Sequence, residues 1–278
     1  MRQPAEVFRD RVAIVTGGGS GIGAALVRAL AARGTTVVIA DIDEAAAKSV
    51  AADNPDTITA VTLDVTDAAA VAGLVKQTAA DHGRLDYMFN NAGIAVGGLV
   101  EEFTLDHWDR AIDVNLRGVI HGVHAAYPLM LAQGHGHIVN TASLAGLVPG
   151  PGLAPYDTVK HAVVGLSLSL RAEAAGRGVL VSAICPGFVD TPLLTRVNPG
   201  LPPTSAGLEV SGRVGKLYPA GPLAQDVLRG IERNRALIVA PRSARVAWRM
   251  ARYAPNLTLR TASSLARRAG PVGMPGDG

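Results

Sequence analysis

Short apolar runs alternate with amphipathic stretches through most of the chain. Residues 12–15, 35–40, 58–63, 85–89, 137–141, 179–185 and 237–240 are rich in aliphatic and β-branched residues, and each is bounded by turn-forming residues, the pattern of buried strands. Between them, residues 24–33, 43–52, 67–82, 107–132, 156–176 and 223–233 carry helical spacing, with Asp67 placed as an N-cap and Gly34 as a stop. Alternating strand and helix predict an α/β fold: one doubly wound parallel sheet of about seven strands, with right-handed crossovers and helices on both faces. The expected layout is an N-terminal arm over 1–10, one domain over 11–242 with a Pro- and Gly-rich lid at 190–220, and an appended segment over 243–278.

Composition narrows the function classes. At 278 residues and 48% hydrophobic, the chain is long enough for one large core. Aromatics make up only 4%, which argues against a stacking surface for nucleic acid. The one cysteine, Cys185, precludes an internal disulfide and fits a reducing, cytoplasmic setting. The first apolar run leads straight into a glycine turn and does not read as a signal peptide, and no run is long enough to span a bilayer. Charge is divided unevenly: residues 233–276 hold nine arginines and no acid, so the body is acidic and the end of the chain basic.

In open parallel sheets, ligands bind beyond the carboxyl ends of the strands. That rule gathers Gly17–Gly23, Asp41, Asp64, Asn90–Gly93, Ser143 and Pro186–Gly187 along one rim. Thr16-Gly-Gly-Gly-Ser-Gly-Ile-Gly23 joins a strand to a helix. It satisfies two glycine spacings, Gly19-x-Gly21-x-x-Ala24 and Gly17-x-x-x-Gly21-x-Gly23. Glycines let a phosphate approach the backbone, and a helix N-terminus offers it free N–H groups and a positive dipole end. A tight turn without ligand satisfies the same spacing. Asp41 follows Gly21 by 20 residues, where a carboxylate accepts hydrogen bonds from an adenosine ribose and repels a 2′-phosphate. No Arg or Lys stands at Ser20 or Ile42, so NAD is expected over NADP.

Tyr156 and Lys160 are four apart and share a helix face. A phenol ionises near 10, and a neighbouring ammonium lowers that value; bringing it to about 7 takes roughly 4 kcal/mol. Alone, the pair reads equally as a surface contact. Together with Thr16-Gly17-x-x-x-Gly21-x-Gly23, Asn90-Asn91-Ala92-Gly93, Asn115, Ser143 and Pro186-Gly187, in that order, it makes the chain closely resemble the short-chain dehydrogenase/reductase family over about residues 10–240. The resemblance implies a Rossmann fold and an NAD-dependent oxidoreductase acting on alcohols and ketones. It implies Tyr156 as general acid/base, Lys160 as its pKa-lowering neighbour on the nicotinamide ribose, and Ser143 as a donor to the substrate oxygen. Asn115 would hold a water leading from Lys160 to solvent. Gly17, Gly19, Ser20, Gly21, Ile22, Gly23, Asn91, Ala92, Gly93, Pro186 and Gly187 would border the cofactor. Asp64 and Val65 would contact its adenine, and Val189 and Thr191 its carboxamide. The resemblance also implies a homodimer or homotetramer, paired through helices 107–132 and 154–176, whose apolar residues face more than one side.

Other chemistries fit less well. Gly165-Leu-Ser-Leu-Ser169 lacks the final glycine of a nucleophile elbow, and no His-Glu-x-x-His pattern marks a metal site, so no metal is expected. A non-catalytic NAD-binding scaffold would need only the glycine turn and Asp41. Arg242, Arg245, Arg249 and Arg252 fall on one helical face, beside Val246, Met250 and Tyr253. Residues 242–268 therefore read either as a membrane-surface segment or as a helix packed on the body or a sister subunit; nucleic-acid binding would rest on arginines alone. Ile94-Ala-Val96, Leu144–Val148 and Pro192–Leu194 suggest an apolar substrate of steroid, terpenoid or lipid-derived type, or simple packing.

Overall fold

The computed structural model describes residues 7–194 and 217–269. The first half runs β1 (Arg11–Thr16), α1 (Gly21–Ala31), β2 (Thr35–Asp41), α2 (Glu44–Ala51), β3 (Ile58–Thr62), α3 (Ala68–His82) and β4 (Tyr87–Asn90). The second runs α4 (Leu105–Ile112), a π-helical turn (Asp113–Arg117), α5 (Gly118–Gln133), β5 (Gly136–Thr141), α6 (Ala154–Glu173), β6 (Val179–Pro186) and β7 (Val189–Asp190). It closes with β8 (Tyr218–Pro219), α7 (Ala220–Glu232), β9 (Leu237–Ala240), α8 (Arg242–Tyr253) and α9 (Pro255–Ala269). Asp43 and Asp67 cap α2 and α3, accepting from the backbone N–H of Ala46 and Ala70 at 3.0 and 2.9 Å.

Seven strands form one parallel sheet in the order β3-β2-β1-β4-β5-β6-β9, the doubly wound arrangement expected, in a single domain. Successive residues of a strand point to opposite faces, and both faces are covered, so these strands are apolar throughout. In β1, Ala13 and Val15 pack with Leu26 and Leu30 of α1 and with Leu223 and Val227 of α7. Ile14 faces the other way, toward Val119 and Met130 of α5 and Val163 of α6. Strand order reverses between β1 and β4, which opens a crevice at their carboxyl ends.

Three expectations need correcting. The helix expected over 107–132 is broken by the π-helical turn, which turns the buried Asn115 onto the backbone of Ile94. The arm expected over 1–10 is not loose over its described part. Phe8 is fully buried against the Tyr87 ring, 5.4 Å between centroids. Its carbonyl accepts from the Thr35 hydroxyl at 2.7 Å, while the Tyr87 hydroxyl donates to the Val7 carbonyl at 2.8 Å. The helical stripe that the arginines marked over 242–252 is followed by a second helix, α9, which their spacing did not indicate. Of the lid expected over 190–220, residues 195–216 lie outside the described residues.

Phe8 fills a site with no other occupant among the described residues. Phe8→Ala is expected to destabilise the fold by about 3–5 kcal/mol, the usual range for truncating a buried Phe. Urea denaturation followed by circular dichroism will show this as a lower midpoint at unchanged slope.

Candidate active site

The glycine turn leaves β1 with Gly17 at φ +63°, a conformation that favours glycine. A Cβ there would also lie 2.7 Å from the Ala92 backbone. Gly23 sits where the helix crosses the turn, and its Cβ would stand 1.9 Å from the Gly17 carbonyl oxygen. Ser20 is the N-cap of α1, yet its side chain makes no capping bond and no acid occupies the first turn. Among the described residues, the first N–H groups of the helix, at Gly21, Ile22 and Gly23, have no side-chain partner, as an anion site requires. Asp41 ends β2 and accepts from Gly19 N–H at 2.8 Å and Asp43 N–H at 3.0 Å. The adjoining rim carries exposed Asp64, held in a local turn by the Thr66 N–H and hydroxyl, and buried Val65. This donor and acceptor set fits a dinucleotide: helix N–H groups for a pyrophosphate, and a carboxylate one strand away for a ribose.

Asn91 fastens three strand ends together. Its amide donates to the carbonyls of Thr16 and Gly17 at 3.0 and 3.2 Å, and accepts from the Thr141 hydroxyl at 3.2 Å. The Thr16 hydroxyl accepts in turn from the N–H groups of Asn91 and Ala92 at 2.9 and 3.1 Å. Pro186 ends β6 beside Ala240, and Gly187 N–H donates to the Ala240 carbonyl at 2.8 Å. Val189 is buried, and Thr191 lies over the glycine turn, its Cβ 3.2 Å from where a Cβ of Gly21 would stand.

At the other end of this rim, Ser143, Tyr156 and Lys160 converge. Ser143 follows β5 and its hydroxyl accepts from Ala145 N–H at 3.1 Å while facing the Tyr156 phenol. Lys160 is buried, donates to the Thr141 carbonyl at 2.9 Å, and lies 5.5 Å from the Tyr156 ring centroid. Asn115 holds both polar contacts of Ile94, its Oδ1 accepting from the N–H at 3.0 Å and its Nδ2 donating to the carbonyl at 3.1 Å.

The electrostatics differ from the expected acidic phenol. Burial pushes the Tyr156 phenol up to about 12; Ser143 pulls the other way, and the carboxylate of Asp157 adds to the rise. Lys160 is itself brought down to about 8 by burial, and its ammonium turns to the Thr141 carbonyl, so it does not offset the desolvation of the phenol. Cys185, in the same interior, is pushed up to about 12 by burial, the behaviour of a small packed residue with an inert thiol.

Some residues of the site were not legible as such. Thr141 supplies both the hydroxyl that meets Asn91 and the carbonyl that meets Lys160, though only its place at a strand end hinted at this. Asp157 accepts from Gly150 N–H at 2.7 Å, and its carboxyl is pushed up to about 6 by burial. Of the two readings of Ile94–Val96, substrate contact or packing, Val96 takes the second, in a core cluster with Ala111 and Val159.

Comparison with known proteins agrees with this geometry. Residues 11–201 match the short chain dehydrogenase family. An uncharacterized oxidoreductase of Staphylococcus aureus (strain MW2) is 37% identical over 194 residues, covering 69% of this chain and 84% of that protein. A short-chain dehydrogenase/reductase of Burkholderia phymatum, solved in complex with NAD, superposes with a TM-score of 0.82 at 33% identity, over 90% of this chain and 95% of that one. A 3-ketoacyl-(acyl-carrier-protein) reductase of Brucella melitensis, solved with NADH, gives 0.76 at 29% identity, over 85% and 99%. The chain belongs to the short-chain dehydrogenase/reductase family of oxidoreductases.

Asp157 provides a test of the site's electrostatics. Its carboxyl ionises higher in the folded chain than its ordinary value of 3.8, so the stability it contributes is complete below that pH and is lost as pH rises through about 6. Asp157→Asn keeps an acceptor for Gly150 N–H without the charge. Its Tm is expected to match the native chain near pH 4 and to exceed it at pH 8, by differential scanning calorimetry.

Proposed function

We propose that the protein is an NAD(H)-dependent oxidoreductase that interconverts a secondary alcohol and a ketone, with Tyr156 as general acid/base. One observation carries this reading: Ser143 faces the Tyr156 phenol and Lys160 lies over its ring, on the same rim that presents the N-terminus of α1. The cofactor, when bound, supplies or accepts the hydride. Gly17, Gly19, Ser20, Gly21, Ile22 and Gly23 would hold its pyrophosphate and Asp41 its adenosine ribose. Asp64 and Val65 would border the adenine, and Asn91, Ala92 and Gly93 the middle of the crevice. Pro186, Gly187, Val189 and Thr191 would flank the nicotinamide end.

The protein's own part is to position one carbon and manage one proton. Ser143 orients the substrate oxygen. Tyr156 donates its proton to that oxygen in ketone reduction and takes it back in alcohol oxidation. Burial keeps the phenol protonated in the free protein, the form that donates in ketone reduction. Lys160, over the Tyr156 ring, would return a proton to the phenolate left behind, since burial makes its ammonium readier to give one up. Asn115, through Ile94, fixes the wall on the other side of Lys160.

An apolar substrate is supported by the entrance. Gly98 N–H donates to the Gly152 carbonyl at 2.9 Å, which ties the segment after β4 to the loop before Tyr156. Leu99 and Val100 are exposed there, 38% and 59%. Exposed Ile120 on α5 and Leu168 on α6 support a homodimer or homotetramer built through those helices. The S. aureus, Burkholderia and Brucella proteins support the oxidoreductase class and the cofactor, not a particular substrate.

A second reading concerns where the enzyme works. Among the described residues no helix is long and apolar enough to cross a membrane. Val246, Met250 and Tyr253 on α8, and Leu257 and Leu259 on α9, are nevertheless exposed beside arginines, the make-up of an interfacial surface. These residues would give a cytoplasmic enzyme a peripheral membrane contact.

Tyr156→Phe is expected to bind NADH as tightly as the native chain, both preferring it to NADPH, while ketone reduction falls by about 100-fold or more. Fluorescence titration and initial rates across a panel of apolar ketones measure the two effects; full turnover in the variant would overturn the mechanism. Met250→Glu with Leu257→Glu is expected to abolish pelleting with phosphatidylglycerol vesicles; equal pelleting of native and variant chains would remove the membrane reading.

A further inference from the structure

The edge of the sheet farthest from β3 carries a cavity that the reaction does not use. It has a volume of about 690 Å³ and opens along β9, between the end of α7 and the start of α8. Five arginines line it: Arg229 from α7, Arg233 and Arg235 before β9, and Arg242 and Arg245 from the first turn of α8. The one carboxylate among its described lining residues is Asp226, which already accepts from the Tyr218 hydroxyl at 2.9 Å and pairs with Arg229. No described carboxylate pairs with the side chains of Arg233, Arg235, Arg242 or Arg245. The start of α8 adds to the field: its N-cap is Pro241, which has no side-chain acceptor, and its first turn holds no acid.

Like charge at this density has a cost unless an anion relieves it. Guarding an edge strand against pairing takes one or two charges, not a cavity lined by five arginines. Its volume falls within the range of small-molecule sites and is generous for a single small anion. Arginine forks bind phosphate oxygens two at a time, which matches a ligand carrying several such oxygens.

We propose that this cavity binds a phosphorylated ligand with two or more phosphate groups, at a site separate from the dinucleotide crevice. The ligand would lie next to the β7–β8 ladder, where Tyr218 N–H donates to the Phe188 carbonyl at 3.0 Å, just before Val189 and Thr191. It therefore adjoins the segment expected to hold the nicotinamide end, without sharing the glycine turn.

The probe is inorganic tripolyphosphate, titrated calorimetrically into the full-length protein at fixed ionic strength. Binding is expected to weaken about tenfold or more in Arg235→Ala/Arg245→Ala, and by less in Arg235→Lys/Arg245→Lys, which keeps the charge and loses the fork. Asp226→Asn removes the single carboxylate and frees Arg229, so it is expected to tighten binding, a gain that a damaged fold does not produce. NADH affinity is expected to be unchanged in all three variants, and saturating NADH is expected not to displace the probe. Equal probe binding in native and double-alanine chains, displacement by NADH, or no tightening in Asp226→Asn would each overturn the proposal. Cardiolipin vesicles, whose headgroup carries two phosphates, are added as competitor to separate the two sources of such phosphate: displacement of the probe assigns the cavity to lipid headgroups, and its retention to a free phosphorylated molecule.

Discussion

One amide side chain holds the site's strand ends in register. A parallel sheet leaves backbone carbonyls without partners where its strands end, and each one buried unpaired costs about 1–3 kcal/mol. Asn91 answers two of them, on Thr16 and Gly17, and accepts from Thr141 on the far side of its own strand. It thereby joins β1, β4 and β5, the neighbours that flank the reversal in strand order. Thr141 passes the connection on, since its carbonyl is the acceptor for Lys160. The glycine turn and the Tyr156 helix, far apart in sequence, are thus parts of one hydrogen-bonded frame. Gly17 and Gly23 complete it by letting backbone meet backbone where a side chain would intervene.

That frame has an electrostatic consequence. Holding Lys160 in the interior with a single carbonyl partner lowers its hold on a proton, and packing around Tyr156 raises the phenol's. Desolvation moves an acid and a base in opposite directions, each toward its neutral form. In water a phenol and an ammonium hold a proton almost equally; here burial separates them, so the phenol keeps its proton while the lysine yields its own more readily. Asp157, one residue from Tyr156 and with its own carboxyl pushed up to about 6 by burial, adds to the rise of the phenol.

Much of this was legible in the sequence because the physics is local. A strand buried on both faces has to be apolar throughout, so runs such as Val12–Val15 and Val179–Cys185 announce themselves. Asp67 was readable as a cap because a short carboxylate ahead of alanine-rich helix has few other uses. Phe8 was not readable: a single aromatic in a polar stretch has no period, and only the three-dimensional meeting with Tyr87 shows that it is core. Val96 was open to two readings, since three apolar residues after a strand look alike whether they line a pocket or fill a gap between helices. The direction of the Tyr156 shift depended on counting what surrounds the ring, which residue spacing along one helix does not report. The arginines beside β9 were visible as composition and as a helical stripe, but not as the wall of a cavity, because they come from three separate elements.

The wide turn at Asp113–Arg117 acts as a phase shifter. Each residue of an α-helix advances about 100° around its axis, so one surplus residue rotates everything before it relative to everything after it. Because of this offset, a single run of chain serves two different interiors: Ala111 sits with Val159, while Val119 and Val123 sit with Met88 and Ile138. Removing one residue from this turn would yield a smoother helix and a worse protein, since regular winding would swing Asn115 away from the backbone of Ile94. A perfect helix, at this place, is the error that natural variation has to avoid.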